Sequence, residues 1–339
     1  MTVGVAIIGS GHFAKEQHLP AVKAAEQLHL KAIYSRSRKS AQDLAGQLSD
    51  IDLYSEDSGA GKTYTDLLAR DDIQAVIIGL PILIQPDFIK QALLAGKHVL
   101  SEKPIAKDVA TACELVEWYH AHIDTSRFIW AVGENFRYLT KFIFAAEQVR
   151  QMGAVRSFRV NVHQLVKQDN KYYLTAWRKT PEYQGGFLLD GGVHMVAGLR
   201  LILGDEKIQT ISAHSQQQQD YLPPVDTVDA VAKTGSGATG VISLSWGSAF
   251  NDNVFEFSCE KGVVSLRFDD VVVNGHNHHI EFDGKGVVPE VAEFATAVSD
   301  GRSVARRQSP EEALADLEVL EQMLQSGERD GEKMVLNWQ

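Results

Sequence analysis

A glycine turn at the end of an apolar strand pattern is the feature that most constrains the fold of this chain. Residues 3–8 read as a buried strand, and they run directly into Gly9-Ser10-Gly11-His12-Phe13-Ala14, from which a helical pattern begins. In this G-x-G-x-x-A arrangement the first glycine makes a tight turn, the second lets a pyrophosphate approach the backbone, and the alanine lets the helix pack on the sheet. The amide groups at the helix start then face the phosphates. The strand–turn–helix context predicts a dinucleotide site, although glycines also serve ordinary turns.

The end of the second predicted strand, residues 28–34, indicates which dinucleotide binds. NAD sites place a carboxylate here, because it accepts hydrogen bonds from the ribose 2′-hydroxyl. No acidic residue lies between Leu30 and Ala41, and the stretch Ser35-Arg36-Ser37-Arg38-Lys39 carries three cations and two hydroxyls instead. Guanidinium groups bind phosphate oxygens well, so we predict that residues 35–38 hold the 2′-phosphate of NADP. A solvated basic loop without a ligand is the alternative.

Strand and helix patterns alternate through the first third of the chain, which predicts a parallel, doubly wound sheet. The strand patterns lie at 3–8, 28–34, 51–54, 74–79, 97–101 and 127–132, and the helical ones at 14–27, 38–48, 65–70, 83–95 and 107–121. After a helix at 138–152, eight strand patterns between 155 and 282 predict a large, mostly antiparallel open sheet, and helices at 289–299 and 310–325 close the chain. We therefore predict an α/β fold, with an N-terminal Rossmann domain at residues 1–130 and an α+β substrate-binding and oligomerisation domain at residues 131–339.

The composition limits the partners of the chain. Its 339 residues are enough for two cores, and its net charge of −11 disfavours nucleic acid and anionic membranes as partners. Only Cys113 and Cys259 occur, so neither a disulfide framework nor a thiolate metal site is predicted. The histidine-rich turn at 274–279 lacks an acidic or cysteine partner in the sequence pattern, and we predict no metal. With neither a charged leader nor an apolar run near 18 residues, the chain is expected in the cytoplasm.

Two segments carry side chains suited to proton and hydride chemistry. Lys103 follows a predicted buried strand, and ligands of open α/β sheets bind beyond the carboxyl ends of the strands, so we expect Lys103 at the dinucleotide crevice. Asp190 has the character of an N-cap for a helix running to about Leu203, and His194 lies one turn later on the same face. A carboxylate there would orient the imidazole as a proton donor. A surface lysine, a simple cap and a core histidine are the alternatives.

Aromatic residues between the helical pattern at 138–152 and the one that runs to about Leu203 are candidates to line a substrate pocket. Tyr172, Tyr173 and Trp177 fall within six residues of one another, shortly before the segment of Asp190 and His194. Core packing explains aromatic residues equally well, so the spacing leaves both interpretations open.

Taken together, these motifs resemble the Gfo/Idh/MocA oxidoreductases, the family of glucose-fructose oxidoreductase and inositol dehydrogenase. The resemblance covers nearly the whole chain, and the segments that carry it are Gly9–Ala14, Ala75–Pro81, the Glu-Lys-Pro block in Gly96–Pro104, Trp177-Arg178, Gly185–His194 and Pro310–Ser326. Within it, the stretch 177–194 is most similar to a little-characterised fungal NADP-dependent branch of the family. It implies Lys103, Asp190 and His194 as the catalytic set, which with Tyr172 and Trp177 would hold the substrate. It also implies a cis peptide before Pro104, and a homodimer or homotetramer formed through the open sheet. The cofactor contacts it implies, beyond residues 9–14 and 35–38, are Leu80, Pro81, Gln85, Glu102, Lys103, Trp177 and Arg178.

Two positions depart from the family pattern. Many relatives carry His where this chain has Gln85 and Asp where it has Ala197, and both changes are expected to reshape the substrate pocket. We predict an NADP(H)-dependent enzyme that transfers a hydride between the nicotinamide and the carbonyl or alcohol carbon of a small polar, sugar- or polyol-like molecule. The residues identify neither the substrate nor the direction of the reaction. The alternative is a non-catalytic NADP-binding regulator of the same fold.

Overall fold

The computed structural model describes residues 2–339, whose strands form two sheets. The strands are β1 (Val3–Ile8), β2 (Leu28–Ser35), β3 (Asp52–Ser55), β4 (Ala75–Ile78), β5 (His98–Glu102), β6 (Trp130–Gly133), β7 (Val155–Leu165), β8 (Ile208–Gln216), β9 (Thr227–Thr234), β10 (Thr239–Ser245), β11 (Gly247–Cys259), β12 (Gly262–Arg267), β13 (Asp270–Val273), β14 (His276–His279) and β15 (Met334–Val335). The α-helices are α1 (Leu19–Ala24), α2 (Arg38–Ala45), α3 (Tyr64–Leu68), α4 (Gln85–Leu94), α5 (Val109–His122), α6 (Thr140–Gln151), α7 (Ala176–Lys179), α8 (Gly186–Leu203), α9 (Val287–Asp300) and α10 (Pro310–Glu328). A π-helical segment (Ala14–His18) precedes α1, and short 3₁₀ helices lie at Glu56–Ser58, Asn135–Tyr138 and Arg306–Gln308.

The first sheet is parallel throughout and has the strand order β3-β2-β1-β4-β5-β6. Each residue of β1 is buried, because helices cover both faces of a central parallel strand. The strand order reverses between β1 and β4, and this switch point is where open α/β sheets bind nucleotides. The predicted doubly wound Rossmann architecture is confirmed.

The second sheet has nine strands in the order β14-β13-β12-β11-β7-β10-β9-β8-β15. Its pairs are antiparallel except β7 with β10, so the predicted large, mostly antiparallel sheet is also confirmed. Residues alternate between a buried face and an exposed face, as in β9, where Val228, Ala230 and Ala232 are buried and Asp229, Val231 and Lys233 are exposed. The helices α6 and α8 pack on the buried face.

The division into compact units differs from the linear one that we predicted. One unit comprises residues 1–106, 110–135 and 285–313, and the other comprises 107–109, 136–284 and 314–339. The predicted boundary at 130/131 therefore omits a segment that returns to the first unit. The cause is α9, whose Val287, Val291 and Phe294 are buried in the same apolar core as Val5 and Ile33 of the parallel sheet. A pattern of apolar positions shows that such a helix has a buried face but not which sheet covers it.

The helix α8 is the one element among residues 2–339 whose length and composition would suffice to cross a membrane. It has 18 residues and a mean hydropathy of 1.4, a longer apolar stretch than we expected from the sequence. Most of its side chains are buried within its own unit, including Leu188, Leu189, Val193 and Leu199. This burial is typical of a helix in a protein core.

Candidate active site

The glycine turn after β1 has the shape that a pyrophosphate requires. Gly9 adopts φ +108°, and a Cβ atom there would lie 2.3 Å from the carbonyl oxygen of Gly79, so only glycine fits. At Gly11 the Cβ position has no atom within 4 Å, which leaves room beside the backbone. Gly9 N–H donates to the carbonyl oxygen of Tyr34 (2.9 Å), so the turn is fastened to β2. A dinucleotide fits this turn, with the segment 9–14 at the carboxyl end of β1.

The loop after β2 brings hydroxyls and cations together. The hydroxyl groups of Ser10 and Ser35 lie 2.7 Å apart, which joins the glycine turn to this loop. Ser37 caps α2 by accepting a hydrogen bond from Ser40 N–H, and Arg36 and Arg38 are exposed on either side of it. The predicted residues 35–38 thus lie together at the carboxyl end of β2, with Ser10 of the glycine turn beside them.

Two acidic residues that follow β3 lie against the same loop. The sequence directly after β2, from which we predicted the cofactor, does not contain them. Asp57 accepts hydrogen bonds from Arg38 N–H (2.7 Å) and from the Ser55 hydroxyl (2.6 Å). Glu56 accepts a hydrogen bond from the Tyr34 hydroxyl (3.3 Å), and burial, followed by the charge of Glu56, raises the pKa of Tyr34 to about 12. Because β3 is the strand next to β2, a search of neighbouring strands in the doubly wound order would have found both carboxylates.

Lys103 lies directly after β5, and its peptide bond to Pro104 is cis, as the resemblance implies. Gln85 is buried and holds this segment, because its side-chain Nε2 donates to the carbonyl oxygens of Glu102 (2.6 Å) and Pro104 (3.3 Å). That Gln85 reshapes a substrate pocket stays a prediction, and the structure shows in addition what its side chain holds. It fastens the backbone on both sides of Lys103 to the start of α4.

A second support of the Lys103 segment is His18, which sequence reasoning missed. Its Nε2 lies 2.7 Å from a carboxylate oxygen of Glu102, and the His18 side chain is almost fully buried. The π-helical segment that ends at His18 carries this ring from the glycine turn to the carboxyl end of β5. The available signal was a histidine on the otherwise apolar face of the first helix.

In the second unit, α8 carries Asp190 and His194, but Asp190 is not its N-cap. The helix begins four residues earlier, at Gly186, after Gly185 in the left-handed region (φ +65°). A Cβ at Gly186 would lie 2.2 Å from the carbonyl oxygen of Pro223, so the chain enters the helix where only glycine fits. Our N-cap prediction was wrong because the glycine pair starts the helix without a capping side chain. Asp190 and His194 remain one turn apart inside it.

The buried Asp190 carboxylate binds Arg178, whose Nε lies 2.7 Å from Asp190 Oδ2. The Arg178 guanidinium lies 3.8 Å from the ring centre of Trp177 and 5.6 Å from that of Tyr172, both within the range of cation–π attraction. The ion pair and the rings thus bring together four of the predicted site residues.

Tyr183 is an addition to this cluster that sequence reasoning missed. It packs against Trp177, with ring centres 5.9 Å apart, and its buried hydroxyl has no hydrogen-bond partner among residues 2–339. Burial, and then the charge of Asp190, raises the pKa of Tyr183, so its hydroxyl stays protonated. A neutral donor therefore accompanies the charged pair.

His194 is oriented by an aromatic stack. Its ring lies 4.6 Å from the ring of Phe136 at an angle of 16°. The neighbouring Arg137 is anchored by the buried Asp316 (2.5 Å), which also binds Arg200 of α8 (2.6 Å). Asp316 thus clamps the 3₁₀ segment that carries Phe136 to the helix that carries His194. Neither Phe136 nor Asp316 stands out in the sequence, because they act together only in the fold.

Two further predicted features remain. Ala197 is fully buried in α8, three residues after His194, and its effect on a substrate pocket stays a prediction. The histidine-rich turn forms the exposed edge strand β14, where His279 does have an acidic partner, Asp270, at 2.8 Å. Nowhere between residues 2 and 339 do three or more His, Cys, Asp or Glu side chains gather in a group that could hold a metal ion.

Comparisons with known proteins identify the family to which both parts of the chain are similar. The model of the Gfo/Idh/MocA oxidoreductase family, NAD-binding Rossmann fold, matches residues 3–124, and the model of the Gfo/Idh/MocA C-terminal domain matches residues 146–265. The chain is 41% identical to the dehydrogenase FPY6 of Fusarium mangiferae, over 99% of this chain and 100% of that protein. A crystal structure of an oxidoreductase from Thermotoga maritima has a TM-score of 0.89 and 30% identity, over 99% of this chain and 98% of that one. KijD10, a 3-ketoreductase from Actinomadura kijaniata solved with NADP and TDP-benzene, shares the fold (TM-score 0.78, 23% identity, 98% of each chain).

Proposed function

Since the chain belongs to the Gfo/Idh/MocA oxidoreductase family, we propose that it is an NADP(H)-dependent enzyme acting on a carbonyl or alcohol group of a small polar, sugar- or polyol-like molecule. The nicotinamide, when bound, would donate or accept the hydride. The relatives matched along nearly their full length include a dehydrogenase, which supports the reaction class. The preference for NADP and the kind of substrate are the parts that we propose beyond the family.

The observation that carries the proposal is that three reactive side chains, those of Lys103, Asp190 and His194, are present on segments held in place by packing and hydrogen bonds. Lys103 follows β5 at the carboxyl edge of its sheet, in a segment that Gln85 and His18 hold through hydrogen bonds to Glu102 and Pro104. Asp190 and His194 project one turn apart from α8. Catalytic groups held by packed elements and second contacts keep their geometry, which an enzyme requires and a mere nucleotide sensor does not.

Each residue has a role that follows from its chemistry. In the direction of reduction, the Lys103 ammonium would polarise the carbonyl oxygen and the His194 imidazole would deliver a proton to it. Asp190, held by Arg178, would keep the α8 groups oriented, while Tyr172 and Trp177 would contact the substrate. Residues 9–14, together with Leu80 and Pro81, would hold the cofactor, and Arg36 and Arg38 would bind its 2′-phosphate.

The cofactor part of the proposal is tested by direct binding, followed through tryptophan fluorescence. We expect NADPH to bind at least about tenfold more tightly than NADH. This ratio requires that the contacts to the 2′-phosphate contribute about 1.4 kcal/mol of binding free energy. The double variant Arg36→Ala, Arg38→Ala should abolish this preference and leave NADH binding nearly unchanged. Equal affinities of the unaltered protein for NADPH and NADH would contradict an NADP preference.

The enzymatic part is tested with a panel of aldoses, ketoses, polyols and dicarbonyl compounds, followed at the NADPH absorbance. Lys103→Ala should still bind NADPH but lose turnover by a factor of at least about 10³, and Lys107→Ala, which changes an exposed lysine in the same segment, should not. Binding of NADPH without turnover of any compound would instead favour the regulator.

A further inference from the structure

An acidic side chain lies beside the basic loop that we assign to the cofactor's 2′-phosphate. In the register of β2 and β3, Ser35 lies opposite Ser55, so the segments that follow the two strands continue side by side. Asp57, two residues after Ser55, reaches the first backbone N–H of α2, that of Arg38 (2.7 Å). An anion from β3 therefore occupies the helix end toward which Arg36 and Arg38 would draw a phosphate.

The Asp57 carboxylate is fixed in place and charged. One of its oxygens, Oδ1, accepts both from Arg38 N–H and from the hydroxyl of Ser55, a side chain that is fully buried. The hydrogen bond from Ser55, followed by that from Arg38, holds the pKa of Asp57 below its ordinary value. Asp57 is nonetheless an exposed residue, so its charge is open to a ligand at the loop. Glu56, by contrast, is directed to the Tyr34 hydroxyl.

We infer that Asp57 is a specificity-determining residue that opposes Arg36 and Arg38 and favours NAD(H) over NADP(H). This inference rests on the proposed nicotinamide-cofactor site. A carboxylate repels a 2′-phosphate, whereas it accepts a hydrogen bond from the 2′-hydroxyl that NAD carries in its place. Both effects shift the preference in the same direction. The loop thus combines two cations from β2–α2 with one anion from the end of β3, and the balance between them sets the cofactor ratio.

The experiment measures the dissociation constants of NADPH and NADH by tryptophan fluorescence for the full-length protein and its Asp57→Asn variant. Asparagine keeps an oxygen for the Arg38 and Ser55 hydrogen bonds but removes the charge. We expect the ratio Kd(NADH)/Kd(NADPH) to rise about fivefold, the size expected for a charge at a helix N-terminus. Asp57→Ala, which also removes the hydrogen bonds, should raise the ratio as well. The increase should shrink at high salt, because screening weakens charge effects at an exposed site.

Two matched variants control for net charge and for position. Asp43→Asn removes the same charge from α2, five residues beyond its first residue, and Glu56→Gln removes the neighbouring carboxylate; both should leave the ratio within about twofold. A ratio that is unchanged or lower in Asp57→Asn, in a protein that binds the cofactors, would overturn the role of Asp57 and leave the proposed function intact. If the unaltered protein bound neither cofactor, both the role of Asp57 and the proposed function would be refuted.

Discussion

At the scale of single residues, the Tyr183 hydroxyl is a group whose removal should cost the fold nothing. It is buried without a hydrogen-bond partner among residues 2–339, and an unsatisfied buried polar group costs about 1–3 kcal/mol. We therefore expect Tyr183→Phe to leave the free energy of unfolding unchanged or to raise it by about 1 kcal/mol in urea denaturation. Tyr119→Phe is the control, because that hydroxyl donates to Phe128 O and accepts from Trp130 N–H, and its loss should destabilise the protein by about 1–2 kcal/mol.

The pH dependence of stability gives the same variant a second readout. Burial raises the pKa of Tyr183 in the folded protein, so the folded state holds its proton above about pH 10, where the unfolded chain loses it. The stability associated with this group is thus fully present below the unfolded pKa and declines as the pH rises above it. Unfolding measured between neutral pH and about pH 11 should show a shallower alkaline decline for Tyr183→Phe than for the unaltered protein. An identical decline would mean that the hydroxyl ionises as readily in the fold as in the unfolded chain.

Gln85 illustrates how a residue that departs from a family pattern acquires a positioning role. Gln85→Met keeps the volume but removes the hydrogen bonds to the carbonyl oxygens of Glu102 and Pro104. We expect turnover to fall at least about tenfold, because displacement of Lys103 weakens the polarisation of the substrate oxygen, while the NADPH dissociation constant changes less. Gln91→Met, on the exposed side of the same helix, should have neither effect. Equal losses in turnover and in cofactor affinity would indicate general damage to α4 instead of a displaced Lys103.

At the scale of elements, the start of α8 shows where sequence reasoning succeeded and where it failed. The spacing of Asp190 and His194 and the end of the helix at Gly204 were predictable from residue types. The start was not, because an acidic residue is a common cap, whereas the left-handed Gly185 reflects a tertiary constraint from neighbouring segments. The first half of β11 and the edge strand β14 are mostly polar and exposed, and the sequence locates such strands poorly for a related reason. Strands with little burial lack the apolar alternation by which strands are found.

The glycine entry to α8 yields a test that separates backbone strain from steric conflict. Gly186→Ala places a Cβ 2.2 Å from Pro223 O at φ +50°, whereas Gly204→Ala at the other end meets open space at φ +66°. We expect Gly204→Ala to cost about 1 kcal/mol from its conformation alone, and Gly186→Ala to cost at least about 2 kcal/mol more. Urea denaturation of both variants measures the difference. Equal costs would show that the Pro223 segment moves aside freely.

At the scale of the whole molecule, the order of elements along the chain conceals how they are grouped. The apolar periodicity of residues 289–299 predicted a helix, and α9 is present at Val287–Asp300. Its place in the core of the parallel sheet depends on a contact between segments more than 250 residues apart, which no local pattern encodes. For the same reason the glycine turn could be predicted from one contiguous stretch of sequence. The support of His194 by Phe136, Asp316 and Arg200 could not, because these residues come from three separate segments.

The exposed face of the nine-stranded sheet is the surface on which we predict self-association. Val231 and Val241 lie opposite each other on adjacent strands and are 59% and 45% exposed, with Arg159 next in the row. We propose that a second copy of the chain covers this face in a homodimer or homotetramer. Association would remove the two exposed valine side chains from water, and homodimer interfaces are more apolar than the rest of a protein surface. Val231→Lys with Val241→Glu should give monomers in sedimentation at micromolar concentration, with circular dichroism unchanged. Leu94→Lys, which alters an apolar residue of α4 that is more exposed than either valine, should leave the assembly intact. An unaltered protein that sediments as a monomer would refute self-association, and an oligomer that survives the double change would place the interface elsewhere.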